Sequence, residues 1–161
     1  MMPTVRSLVL MFLVAMVTTS PDRLCTADDG NTCRPIKLKG TSTVAGNPFE
    51  GAPFFTEGTG GPLGRFTGIG FVEFGDPVDG IVEGSGTQTF IAANGDELET
   101  TFSGTLDLTT GTAVVDFVIT GGTGRFEDAT GEFTAFVQTI EDPTGQGQLT
   151  FSFSAQGEIC Y

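Results

Sequence analysis

The chain has 161 residues with 20 acidic and 7 basic side chains, a formal charge of −13, and no histidine. So acidic a protein repels phosphate backbones and anionic lipid surfaces, which argues against nucleic acid as a partner. The missing histidine removes Ser-His-Asp catalysis, His-based zinc sites and the commonest general base together.

The N-terminus carries one charge, Arg6, then an unbroken apolar run from Leu8 to Val17 and the small polar group Thr18-Thr19-Ser20. This is the layout of a secretory signal peptide, and the run falls short of the roughly 20 residues a membrane-crossing helix needs. Pro21 disfavours cutting after Ser20, whereas Cys25-Thr26-Ala27 has the small-residue pattern of a cleavage site, so the expected cut follows Ala27. Removing residues 1–27 takes away Arg6, Asp22, Arg23 and Cys25 and shifts the formal charge to −14. A single domain over residues 28–161 remains, destined for a secreted or periplasmic location, with Cys33 and Cys160 as its cysteines. In an oxidising compartment these two are expected to form a disulfide rather than stay as buried thiols. A loop on the order of 100 residues would be worth about 4–5 kcal/mol in the chain-entropy account.

No stretch after the leader shows a 3.6-residue apolar period, while alternation with period two recurs, so the reading is all-β. Strands are expected near residues 34–44, 52–57, 64–74, 80–92, 97–108, 112–120, 131–141 and 147–159. Ile36 and Leu38 alternate with Lys37 and Lys39 in the first. In the fifth, Leu98, Thr100, Phe102, Gly104, Leu106 and Leu108 share one face. Leu149, Phe151, Phe153 and Ala155 do so in the last. The separators are short turn signals such as Asn94-Gly95-Asp96 and Thr109-Thr110-Gly111, so consecutive strands are antiparallel neighbours closing into a barrel or stacking as a sandwich. The register of the Asn94-Gly95 hairpin stays open. A two-residue turn sets Ile91 opposite Leu98 and turns Phe90 outward; a loop of Asn94-Gly95-Asp96, the preferred reading, sets Ala92 opposite Leu98 and turns Phe90 inward.

Between the sixth and seventh strands lies Gly121-Gly122-Thr123-Gly124-Arg125-Phe126-Glu127-Asp128-Ala129-Thr130-Gly131. Gly122-Thr123-Gly124 begins a G-x-G-x-x-G pattern, but position 127 is glutamate, no long helix follows, and no Walker-type lysine occurs. Gly121, Gly122, Gly124 and Gly131 are therefore read as a structural loop, with room for one helical turn. The carboxylates Glu73, Glu99, Asp107, Asp116 and Glu132 fall on the face opposite Phe74, Phe102, Leu106, Phe117 and Phe133, and so point to solvent. Glu50, Glu57, Asp76, Asp79 and Glu83 lie in less regular segments; of these, Glu57 and Glu83 are the candidate polar groups at a barrel mouth. Asp76-Pro77-Val78-Asp79 and Asp96-Glu97 lack an EF-hand pattern and read as solvated turns, so no metal and no cofactor is expected. The candidate interior is apolar, with Phe66, Phe102, Phe117, Phe133, Phe151 and Phe153 as barrel lining. Ile69, Phe71 and Phe136 fall on the outward parity, which makes a homo-oligomer a candidate state.

The run from Ile119 to Gly131 resembles the glycine-rich signature of the allene oxide cyclase and dirigent proteins, in particular secreted bacterial sequences of that barrel type. Gly64-Arg65-Phe66-Thr67-Gly68-Ile69-Gly70 and Ala92-Ala93-Asn94-Gly95-Asp96-Glu97-Leu98, leading into Phe102-Ser103-Gly104-Thr105, fit the same pattern, and together the likeness covers most of residues 34–159. It implies an eight-stranded antiparallel up-and-down barrel of the calycin-like kind, often oligomeric in the plant members. Thr130 stands where the cyclases usually carry tyrosine, and no motif maps their cavity residues onto this chain. The expected function is a secreted, non-catalytic barrel that binds a small apolar or aromatic compound. The alternatives are a cyclase-like or dirigent-like catalyst that steers a reactive intermediate, and a structural interaction module.

Overall fold

The structure, a computed structural model, describes residues 32–140 and 148–161. Strands β1 (Cys33–Val44), β2 (Ala52–Gly61), β3 (Gly64–Phe74), β4 (Ile81–Ile91), β5 (Glu97–Asp107), β6 (Thr112–Gly122), β7 (Thr130–Ile140) and β8 (Leu149–Cys160) pair in chain order, all antiparallel. β8 returns to β1 and closes the barrel. Every expected strand forms, and of the two architectures the alternation allowed, the barrel is the one adopted. The signal peptide and its cleavage site lie outside the described residues, as do the expected strand positions 141 and 147. Among the described residues no helix is long and apolar enough to cross a membrane.

Several boundaries shift by a residue or two, β6 for instance running on to Gly122 past the expected end at 120, and two differences have identifiable reasons. β2 runs on to Gly61 through Gly58 and Gly60, which look like strand breakers but stand where the backbone of β1 approaches too closely for a Cβ. Leu108 lies past the end of β5 and is half exposed, so the inward face of that strand ends at Leu106.

The β4–β5 hairpin corrects the expected register. Phe90 itself lies opposite Leu98, and the loop is Ala93-Asn94-Gly95, not Asn94-Gly95-Asp96. It is closed by the Ala92 amide donating to the Asp96 carbonyl at 2.9 Å. Gly95, at φ 90°, takes the left-handed position the turn requires. Phe90 points inward as expected, because its parity survives the two-residue shift.

Inside, phenylalanine and glycine are matched across strands. Gly40 faces Phe153, Gly58 faces Phe66, Gly68 faces Phe90, Gly70 faces Phe54, Gly84 faces Phe74, Gly86 faces Phe102 and Gly157 faces Phe133. An eight-stranded barrel is barely wide enough for its own side chains, and at Gly58, Gly70, Gly84 and Gly86 the partner ring fills the space a Cβ would take. Large and small residues thus alternate round the interior.

The glycine-rich run from Gly121 to Gly131 seals one end. Thr120 is an extra residue where β6 slips against β5, since Thr100 pairs Ile119 while Glu99 pairs Gly121. A single 3-10 turn, Gly124–Phe126, then drops Phe126 into full burial among Leu63, Ala92, Ala129, Ile36 and Ile159. Gly124, at φ 58°, abuts the Asp96 carboxylate, where a Cβ has no room. Arg125 binds the loop to its neighbours: its guanidinium donates to the Pro62 carbonyl at 3.2 Å, pairs with Asp96 at 3.5 Å and lies 4.7 Å over the Phe126 ring. The element is thus a structural plug, as its departure from a phosphate-binding pattern implied.

Cys33 and Cys160 are cross-strand partners in β1 and β8 and form a disulfide at the same end of the barrel.

Candidate ligand cavity

Above the plug the barrel is not filled. A cavity of about 120 Å³ lies toward the end that carries the β1–β2, β3–β4 and β5–β6 turns. Its floor is a cluster of rings: Phe117 stacks on Phe133 at 4.7 Å, and Phe90 sits 6.2 Å and 6.1 Å from those two. Its walls include Phe54 and Phe102, edge to face at 5.8 Å, with Phe74, Phe151 and Phe153. Space remains because Gly84, Gly104, Ala113, Ala135 and Ala155 point inward at this level.

Of the expected lining, Phe102, Phe117, Phe133, Phe151 and Phe153 border the cavity. Phe66 is buried deeper, against Phe90 at 5.5 Å, and packs the closed end instead. The reason is its position near the start of β3, level with the plug.

Glu57 and Glu83 require correction as mouth groups. Both are exposed on the outward face, Glu57 between Thr41 and Thr67 and Glu83 opposite Thr105. Their neighbours Thr56 and Val82 take the inward positions. Among the described residues, no ionisable side chain lines the cavity.

The polar groups that do reach it come from elsewhere. Gln88 on β4 is 4% exposed and donates from Nε2 to Thr56 Oγ1 at 3.0 Å. Thr56 Oγ1 is in turn 2.8 Å from Ser42 Oγ, and the Thr100 hydroxyl donates to the Gln88 backbone carbonyl at 2.9 Å. Ser42 and Gln88 face the cavity; Thr56 and Thr100 stand behind them. Gly68 provides the space for the Gln88 amide, since a Cβ there would come within 3.0 Å of Nε2. The sequence did hold a signal for these residues. Gln88 is in phase with Phe90, and Ser42 with Ile36 and Leu38, so each is a polar residue on an apolar face. Reading it required the register of residues 80–92.

No metal site emerges among the described residues. The grouping of Cys33, Glu158 and Cys160 has its two sulfurs bonded to each other, and Asp96 is taken up by Asn94 and Arg125. Of the four glycines read as a loop, Gly124 alone lies in the 3-10 turn, while Gly121 and Gly122 end β6 and Gly131 belongs to β7; none borders the cavity.

The outer surface carries an apolar strip where β2 meets β3. Phe55 and Ile69 are cross-strand partners, and Phe71 is next in phase on β3; these are 54%, 51% and 47% exposed. Phe136 pairs with Val114 on the far side of the barrel, both exposed.

Compared with known proteins, the chain matches no family model and no curated protein.

Proposed function

We propose that the protein is a secreted, non-catalytic barrel that binds a small apolar or aromatic compound inside. The observation that carries this reading is the phenylalanine-walled cavity of about 120 Å³ with no ionisable lining group among the described residues. An engineered apolar cavity of about 150 Å³ stays dry and takes up benzene, so this volume suits a single ring. Without an acid or base at the site, proton-transfer chemistry has no agent there, which favours binding over turnover. The Cys33–Cys160 disulfide supports an oxidising destination, in keeping with the signal-like N-terminus. The resemblance to allene oxide cyclase and dirigent barrels supports an interior site on this scaffold.

Titration with toluene, followed by thermal unfolding and calorimetry, tests it. A saturable upward shift in Tm is expected, growing as RT ln(1 + [L]/Kd). Ala155→Phe, which fills the cavity, removes the shift. Absence of any shift in the unmodified protein rejects the binding reading.

A second reading, a catalyst of the cyclase or dirigent kind working by confinement, draws on the convergence of Ser42 and Gln88 at the cavity wall. It calls for turnover of a reactive intermediate that depends on those two residues. Phe55, Ile69 and Phe71 favour a third, an interaction module. Sedimentation of wild type against Phe71→Ser reports whether that strip joins copies of the chain.

A further inference from the structure

We infer that the cavity selects an uncharged ligand with a hydroxyl head group, seated between Ser42 and Gln88, over both its apolar isostere and its carboxylate counterpart. This rests on the binding reading above and specifies the ligand class of the same site.

The argument starts from hydrogen-bond bookkeeping at a buried amide. A glutamine side chain has two donor hydrogens and an acceptor oxygen. Gln88 commits one N–H to Thr56, and its oxygen accepts nothing from the described residues. Thr56 Oγ1, having accepted that proton, has its own hydroxyl proton to place. The side-chain acceptor within reach is Ser42 Oγ at 2.8 Å. If Thr56 donates to Ser42, the Ser42 proton is released to point at the cavity. In that arrangement the chain of bonds runs from Gln88 through Thr56 to Ser42, and it ends on the cavity wall with an O–H donor at Ser42 and a carbonyl acceptor at Gln88.

A ligand hydroxyl both donates and accepts, so it satisfies both groups at once. A hydrocarbon leaves them unpaired, and an unpaired buried polar group is costly. A carboxylate satisfies only the donor and arrives charged. Nothing in the lining neutralises it: Lys37 and Lys39 face outward on β1, and Arg125 is engaged at the closed end. Desolvating an anion without a counter-charge is strongly disfavoured.

The experiment compares toluene, benzyl alcohol and benzoate, three single-ring probes that differ in one substituent, by calorimetry near neutral pH. Benzyl alcohol is expected to bind roughly five- to tenfold more tightly than toluene, and benzoate at least about tenfold more weakly than benzyl alcohol. Gln88→Met and Ser42→Ala, checked for folding by circular dichroism, are each expected to bring benzyl alcohol to within about twofold of toluene while leaving toluene bound. The inference is overturned if wild type binds toluene as well as benzyl alcohol, or benzoate as well as either, results that need no variant. It is also overturned if the preference survives in both variants. Failure of all three probes to bind removes the binding reading together with it, so the two failures are told apart.

Discussion

At the residue scale, the interior is governed by pairs in which a phenylalanine on one strand lies over a glycine on the next. The composition, with 24 glycines and 15 phenylalanines, reflects that rule. Gly70 is the sharpest case, because a Cβ there would overlap the Phe54 ring as well as crowd the Thr87 carbonyl. Gly70→Ala is expected to destabilise the fold by about 1–3 kcal/mol, as overpacking does. Gly75→Ala, whose Cβ would meet its nearest atom at an ordinary 3.7 Å, should stay within about 0.5 kcal/mol of wild type. Denaturant unfolding of the two variants side by side checks both. These pairs were not legible in the sequence, since each depends on the register between strands. What was legible was parity in the strands with one clean apolar face: Leu98, Phe102 and Leu106 point inward as read. Glu57 and Glu83 escaped because each follows two neighbouring apolar residues, Phe54-Phe55 and Ile81-Val82, either of which can serve as the inward member.

At the element scale, turns and plugs are held by short polar residues. Asp107 ends β5 and accepts from the Thr109 amide at 2.7 Å and the Thr110 amide at 3.3 Å. The Thr109 backbone bond, the largest influence, favours the ionised form and holds the Asp107 carboxyl below its ordinary value of 3.8. The folded pKa lies under the unfolded one, so this group's contribution to stability is complete above the unfolded pKa and is lost as pH falls through the folded value. A carboxyl-resonance NMR titration should give Asp107 a midpoint below 3.8, and Thr109→Pro, which removes the amide proton, should raise it. Of the glycine element, the connection with its single helical turn was legible, whereas the strand membership of Gly121, Gly122 and Gly131 was not. Its role as a plug was not, because Phe126 is buried in a cluster that draws Leu63 and Ala92 from two other turns.

At the scale of the whole molecule, closure makes the first and last strands neighbours, and the disulfide is placed where they begin and end. Eight strands and their order followed from the spacing of turn signals. The cavity did not, because its volume is the small residual of ring sizes, glycine positions and barrel diameter. Reducing Cys33–Cys160 should lower stability by about 2–5 kcal/mol, read as a drop in the denaturant midpoint of Cys33→Ser/Cys160→Ser relative to wild type.

The same bond has a topological consequence. From Cys33 to Cys160 the main chain and the disulfide together make a covalent ring, with the sulfur bridge as the clasp. Opening that ring by cleavage at the exposed Asn94-Gly95 tip produces a rearranged linear molecule, whose new ends lie in the β4–β5 hairpin and whose old ends are joined through sulfur. A site-specific protease sequence inserted at that tip should thus yield a full-length species on a non-reducing gel and only fragments of about half that mass on a reducing gel. Since every strand pair survives the cut, the nicked protein is expected to keep its barrel for as long as the clasp stays shut.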